Sequence, residues 1–436
     1  MITSDAIDSV YRRIYFFVQR ARHAVSSDMI RSAGEILQSP WHEIEAYAQS
    51  RLRTVHGSVL HSLNELERQP FMEKEWVARQ GAGEHGTRPH SRVERRKTSG
   101  STGMPLTLFK DVEMTAWMDA AMWAAYQWHG VTPGMRHARF WGLPRERGPR
   151  ARRRVMDWFL NRVRLDAFDM APEQIARFHR RLMSFRPRYI HAYPTLLRAF
   201  VEQCLEAGLS GADLGVRVAI CGGEILTPQT RAVIAEFFQC SVVNEYGCTE
   251  SGLLTVECEH GTPHVLPVAV WVEVIGPDGM DVATGQVGEV LVTDLYGSVV
   301  PLLRYRLQDR AQIAFQHECP CGRSLPRLDV AFGRIDSFIE TPDRGPIYDA
   351  ILAYTVPREI KQFRAVQVAP DMLQVDIVPG NGFDDTTPEA CRRCWSEELG
   401  PSMRIELRVV GEIPRDPSGK LQYFVPMSDA TESRHR

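Results

Sequence analysis

No stretch of the 436-residue sequence approaches the roughly 18–20 consecutive apolar residues that a membrane-spanning helix needs, so no membrane span is expected. Net charge is equally scarce. The 52 Lys and Arg stand against 54 Asp and Glu, a formal −2, which argues against a nucleic-acid partner bound through bulk charge. The first residues, MITSDAIDSVYRRIYFF, are amphipathic and lack the basic start, apolar block and small-residue cleavage site of an export signal. The nine cysteines are odd in number, which makes a disulfide framework an unfavourable reading; free thiols and one metal site are expected instead. Internal repeats and low-complexity tracts are missing as well. A cytoplasmic enzyme is the provisional class.

What is present is ordinary globular composition, 44% hydrophobic and 24% charged, in a chain long enough for more than one domain. One local departure is the run RERGPRARRR over Arg145–Arg154, read as a solvated surface loop, with a local anion patch as the alternative.

The first ninety residues read as helical. Ser39 looks like an N-cap with Pro40 at the first helical position, and helical apolar spacing runs from Trp41 to about Leu66. A strand-like LTLF and a helix from about Glu113 to Trp128, stopped by Gly130, follow a polar, Gly-rich loop. The middle alternates: helix 172–184, strand 189–192, helix 194–207, strand 216–221, helix 228–238 and strand 241–244. Short buried strands between helices suggest parallel pairing, with functional loops at their carboxyl ends. Segments 266–275 and 287–295 then read as an antiparallel pair around the turn Gly276-Pro277-Asp278-Gly279. From about Phe363 a compact α+β unit follows, with strands 363–368, 372–378 and 404–410 and a helix over 388–399. A disordered tail is expected over 427–436.

Thr98-Ser99-Gly100-Ser101-Thr102-Gly103 offers three hydroxyls, backbone N–H groups and two glycines, a composition suited to phosphate oxygens. It is not a Walker A loop, since no Gly-Lys-Ser/Thr follows. Further along stand Cys221-Gly222-Gly223-Glu224, Asn244-Glu245-Tyr246-Gly247-Cys248-Thr249-Glu250, Tyr305-Arg306-Leu307-Gln308-Asp309, Gly333-Arg334-Ile335-Asp336 and Gly419-Lys420. In this order the set resembles the adenylate-forming superfamily of acyl-CoA synthetases and adenylation domains, and within it the phenylacetate–CoA ligase family. The likeness runs from about residue 97 to 424.

The resemblance implies a large N-terminal α/β domain of layered sheets with a distorted β-barrel portion, over 1–333. It implies a hinge at 334–336, with Arg334 and Asp336, and a small mobile α+β lid over 337–426. It also implies two half-reactions: a carboxylate attacks the α-phosphate of ATP, and a thiol, usually of coenzyme A, then displaces AMP. Both first reactants are anionic, so divalent metal, backbone donors and a lysine must offset their repulsion. By the same resemblance Glu250 would hold Mg²⁺, Thr249 would bond the α-phosphate, and Lys420 would meet the charge forming there. Asp309 would accept both ribose hydroxyls and Tyr246 would stack on adenine. Residues 98–103, Gly222, Gly223, Glu224, Asn244, Glu245 and Gly247 would complete the nucleotide site.

Cys258, His264, Cys319 and Cys321 offer three thiolates and an imidazole, a set that fits tetrahedral structural zinc; His260 and His317 are competing ligands. Cys391 and Cys394 share a predicted helix face, where packing is the simpler reading. Trp141, His191 and Tyr193 are candidates to line the acyl pocket and would suit a flat or aromatic acid, with core packing as the alternative. After the hinge the text Ser337–Tyr348 lacks the family's Asn and Phe-Pro and resembles instead relatives encoded with capsular-polysaccharide genes. That leaves the acceptor open between coenzyme A, an acyl-carrier-protein thiol and an amine, with a non-catalytic nucleotide-binding scaffold as a third reading. A homodimer is possible by analogy with relatives.

Overall fold

The computed structural model describes residues 10–16, 25–57, 60, 62–82, 93–97, 106–141, 155–166, 172–297, 299–314, 318–330, 338–345, 347–415 and 421–427. The expected phosphate loop at 98–103, the hinge residues Arg334 and Asp336, Lys420, His317, residues 145–154 and the tail beyond 427 lie outside them. The chain packs as two compact units, Met1–His137 with Arg147–Val163 and Val243–Val330, and Ala138–Glu146 with Arg164–Val242 and Ala331–Arg436.

In the first unit, strands run in the order Val270–Ile275, Val287–Asp294, Tyr305–Ala314, Arg327–Asp329, Pro263–Val265, Gly252–Glu257 and Ser241–Cys248. Each adjacent pair among them is antiparallel. The first pair is the hairpin read from sequence, begun four residues later than expected because Leu266–Ala269 is buried without joining the strand. Helix Val112–Tyr126 is apolar on nearly all sides and is correspondingly buried. Asp111 caps it by accepting from Met114 N at 2.8 Å, and a 3-10 turn carries the chain to Gly130, which sits at φ 69°.

One expectation near the start fails. Pro40 itself is the N-cap of helix Trp41–His56, and Ser39 Oγ donates back to Glu35 O at 3.2 Å in the preceding helix. The helix also ends at His56, ten residues short of the expected end. Gly57 lowers helix propensity there, and Leu63–Arg68 forms a separate 3-10 turn that buries Leu66.

In the second unit, strands follow the order Val218–Gly222, Tyr189–Ala192, His137–Trp141 and Arg162–Asp166. Tyr189–Ala192 and Val218–Gly222 pair in parallel, as expected of short buried strands between helices. Helices Pro172–Phe185, Pro194–Glu206 and Pro228–Phe238 intervene, each opened by proline in its first turn, where the missing N–H costs nothing.

The C-terminal part is a four-stranded sheet in the order Arg404–Val409, Met372–Pro379, Ile360–Ala369, Phe424–Val425. Helix Thr387–Leu399 covers it, placing Trp395 at 0% exposure against Phe363 with Nε1 donating to Leu352 O at 3.2 Å. Cys391 is equally buried in this core, the packing role expected of it. The segment after the expected hinge forms the small hairpin Phe338–Ile339 with Ile347–Tyr348.

Candidate functional site: a nucleotide-handling face and a thiolate–imidazole cluster

The strand expected to end at Asn244 continues to Cys248, because Gly252–Glu257 supplies a hydrogen-bonding partner that local propensity cannot anticipate. The register slips between Tyr246 and Gly247. Gly247 is required at that slip, since a Cβ would come 2.4 Å from Gly252 O and 2.8 Å from Leu253 Cα. Thr249, Glu250 and Ser251 form the tip of the resulting hairpin, tightened by Ser251 N donating to Cys248 Sγ at 3.3 Å. Arg96, on the strand Val93–Lys97 that leads into residues 98–103, donates to the Thr249 carbonyl at 3.4 Å.

Asp309 arrives from strand Tyr305–Ala314. A second bulge, opposite Glu289–Leu291, puts Gln308 at φ 60° and re-aims the residue after it. Asp309 Oδ2 then accepts the Tyr246 hydroxyl at 2.7 Å, joining two motifs 63 residues apart. Tyr305 reaches from the same strand, its hydroxyl 3.5 Å from Glu250 Oε1. Arg306 points to the other face, where its guanidinium is forked onto Glu289 and reaches Glu73 at 3.1 Å. Burial chiefly, with the charge of Asp309 adding to it, raises the Glu250 carboxyl above its ordinary range; its own backbone N–H, Lys74 and Lys110 oppose this.

Two residues expected at the nucleotide also make contacts with the scaffold, Asn244 through its backbone and Glu245 through its carboxylate. Asn244 N donates to Glu257 Oε2 at 2.8 Å, and Glu245 Oε2 accepts the Tyr126 hydroxyl at 2.5 Å.

In the second unit, Gly222 ends its strand and Gly223 turns the chain at φ 78°, a conformation glycine adopts without strain. Glu224, expected near the nucleotide, is 7% exposed at its side chain. It accepts Thr195 N at 3.2 Å, Thr195 Oγ1 at 2.7 Å and Leu421 N at 2.9 Å. Arg415 lies 3.6 Å from its other oxygen and donates to Thr195 Oγ1 at 2.9 Å. Sequence reading missed Thr195 and Arg415 as partners. The turn His191–Thr195 was visible as a loop at a strand end, whereas nothing local marks Arg415.

Trp141, His191 and Tyr193 do come together. The Trp141 and Tyr193 rings are 3.9 Å apart and the Trp141 and His191 rings 5.1 Å. Tyr193 is 2% exposed, so this ring is packed, while Trp141 and His191 are half-buried and Arg139 covers the Trp141 ring at 4.6 Å.

The ligating atoms of Cys258, His264, Cys319 and Cys321 all lie within 4.8 Å of one another. Cys258 Sγ is 3.6 Å from Cys319 Sγ, and Cys321 Sγ is 3.2 Å from His264 Nε2. The other ring nitrogen, His264 Nδ1, faces Leu325 O at 3.1 Å, which places the proton on Nδ1 and leaves the Nε2 lone pair toward the sulfurs. His260 is outside the cluster; only its backbone N–H meets Cys258 Sγ. Arg323 sits alongside, paired with Glu259 at 2.8 Å and stacked over Trp128 at 4.3 Å.

Two families match the sequence, AMP-binding enzyme over residues 97–295 and the CapK C-terminal domain over 339–426. Protein CapK of Staphylococcus aureus is 22% identical over 349 residues, covering 78% of this chain and 75% of CapK. Phenylacetate-coenzyme A ligase of Thermus thermophilus is 23% identical over 270 residues, 55% of this chain and 60% of the ligase. Among solved structures, 2-hydroxyisobutyryl-CoA ligase with 2-HIB-AMP superposes with a TM-score of 0.70, at 19% identity over 100% of this chain and 92% of that one. The motif order, the convergence of Tyr246, Glu250 and Asp309, and the two family matches agree: residues 97–295 match the AMP-binding enzymes, residues 339–426 match the CapK C-terminal domain, and the chain is similar to CapK and to the phenylacetate–CoA ligases.

Proposed function

We propose that the protein activates a carboxylic acid with ATP. A carboxylate oxygen attacks the α-phosphorus, the bond to the bridging oxygen breaks, and pyrophosphate leaves with that electron pair. The acyl adenylate then passes its acyl group to a thiol, for which coenzyme A is the leading candidate, and AMP departs. The observation that carries this reading is the 2.7 Å bond between Tyr246 and Asp309, which assembles two distant motifs beside Glu250.

Each residue then has a physical task. Asp309 accepts the ribose hydroxyls, and the Tyr246 hydroxyl holds its carboxylate so that the ring is set for adenine. Thr249 is exposed at the hairpin tip, where its hydroxyl is available to an α-phosphate oxygen. Glu250 fits a magnesium ion: it is half-buried next to a second carboxylate, and a divalent cation would relieve that repulsion. The ion's contribution is to neutralise phosphate charge. Residues 98–103 supply further donors to the phosphates, and Lys420 the mobile cation at the α-phosphate. The 258/264/319/321 cluster fits zinc with all four positions filled by protein, which makes it a clip between two loops and not a reaction centre.

A second reading keeps adenylation and changes the acceptor to a carrier-protein thiol or an amine. It is favoured by the match of residues 339–426 to the CapK C-terminal domain, the region that shapes transfer. ATP–pyrophosphate exchange across aryl, fatty, hydroxy and amino acids tests the first step, followed by coenzyme A, phosphopantetheinyl protein and amines offered side by side. Lys420→Ala is expected to lower exchange by about 100-fold or more. Undiminished exchange would remove the lysine from its role.

A further inference from the structure

Glu224 has an arrangement that a nucleotide-binding role does not explain. Its carboxylate is almost fully withdrawn from water, yet no nucleotide is needed to satisfy it. Three protein donors and one cation converge on it: the Thr195 N–H and hydroxyl donate to one oxygen, the Leu421 N–H donates to the other, and the Arg415 guanidinium, itself bonded to the Thr195 hydroxyl, lies 3.6 Å from that second oxygen. Two of these come from the turn that opens helix Pro194–Glu206. The other two come from the last segment of the C-terminal domain, and Leu421 directly follows Lys420.

We propose that Glu224 and Thr195 form a polar latch that holds Arg415 and the Leu421 peptide, and so docks the segment in which Lys420 directly precedes Leu421. This inference rests on the adenylation reading for Lys420 and reassigns Glu224 from nucleotide ligand to positioning residue. Fixing the peptide N–H of the following residue restricts the backbone from which the lysine side chain projects. A latch of hydrogen bonds is also reversible. When the segment leaves, Glu224 and Arg415 face water, which replaces the lost partners, so separation costs far less than exposing an apolar interface of the same size.

A second tie on the same helix holds the start of the C-terminal domain. Arg198, paired with Glu202 at 2.7 Å, donates to Arg358 O at 2.8 Å and Ile360 O at 3.2 Å. The domain is thus held near both its ends, and of these two ties it is the one at Glu224 that touches Leu421.

The test uses the full chain. Glu224→Gln removes one acceptor and replaces it with an amide donor facing other donors. Hydrogen exchange read by mass spectrometry on the 421–425 peptide should quicken by about tenfold, with the rest of the chain unchanged. Arg415→Met should behave likewise and Arg415→Lys should recover part of the protection. With an acid that supports it, pyrophosphate exchange should lose kcat by about 100-fold, the scale of a displacement of about 1 Å, while the KM for ATP holds. Unchanged protection at 421–425, or quickened exchange spread over the whole chain, overturns the latch. Quickened exchange there with intact kcat overturns the positioning role. Should the wild type exchange pyrophosphate with no acid, the adenylation reading fails by itself, and hydrogen exchange still decides whether the latch exists.

Discussion

Removing the metal from the Cys258, His264, Cys319 and Cys321 cluster is the perturbation with the most readily worked consequence. Zinc bonds of about 2.3 Å to sulfur and about 2.0–2.1 Å to nitrogen, at tetrahedral angles, require sulfur–sulfur separations of about 3.8 Å and sulfur–nitrogen separations of about 3.5 Å. The cluster shows 3.6 Å and 3.2 Å, with every ligand pair inside 4.8 Å, so shifts of no more than about 1 Å complete the site. The ion would join segments 61 residues apart. By chain entropy alone, a cross-link over that span constrains the unfolded state by about 4 kcal/mol. At roughly 2–4 °C per kcal/mol for a domain of this size, the melting temperature should fall by about 10 °C when zinc is stripped. The assay is metal content by mass spectrometry beside a thermal melt, with and without chelator, for the wild type and Cys321→Ser. Zinc re-addition should restore the wild type and leave the variant low. A native protein without zinc, whose melt ignores the chelator, would refute the clip.

Asp309→Asn should raise the KM for ATP in pyrophosphate exchange by about 10- to 100-fold, because an amide cannot accept both ribose hydroxyls and the Tyr246 proton. An unchanged KM would detach Asp309 from the ribose. Asp119 supplies a pH dependence: burial, opposed by Arg96, pushes its carboxyl up to about 6, from an ordinary value near 3.8. A folded-state value above the unfolded one means that ionisation costs stability. The protein should therefore be most favoured at Asp119 below about pH 4 and lose up to about 3 kcal/mol as pH rises through 6. Asp119→Asn should abolish that loss, so the two melting curves should coincide near pH 4 and separate by pH 8. Parallel curves would show that Asp119 stays ionised throughout.

Much of this molecule is set by short-range pattern. Strand Tyr189–Ala192 and helix Pro228–Phe238 are bounded as their apolar runs and prolines dictate, and the C-terminal strands and helix differ from expectation by a few residues at most. These limits follow from propensity, capping and periodicity, all of which act within a few residues. The four metal-ligand candidates were legible for a related reason, since thiolates and imidazole are rare enough that composition narrows the choice. Only the tertiary structure decided what the site residues touch. Strand Ser241–Cys248 outruns its local propensity because a partner strand pays for the extension, and Asp309 turns to Tyr246 because a bulge inserts Gln308 at positive φ. Glu224 reads as one more acid in a glycine turn until residues 197 positions away bring Leu421 to it. Hydrogen bonds of that kind depend on register and packing between segments far apart in the chain, and no window of sequence contains both partners.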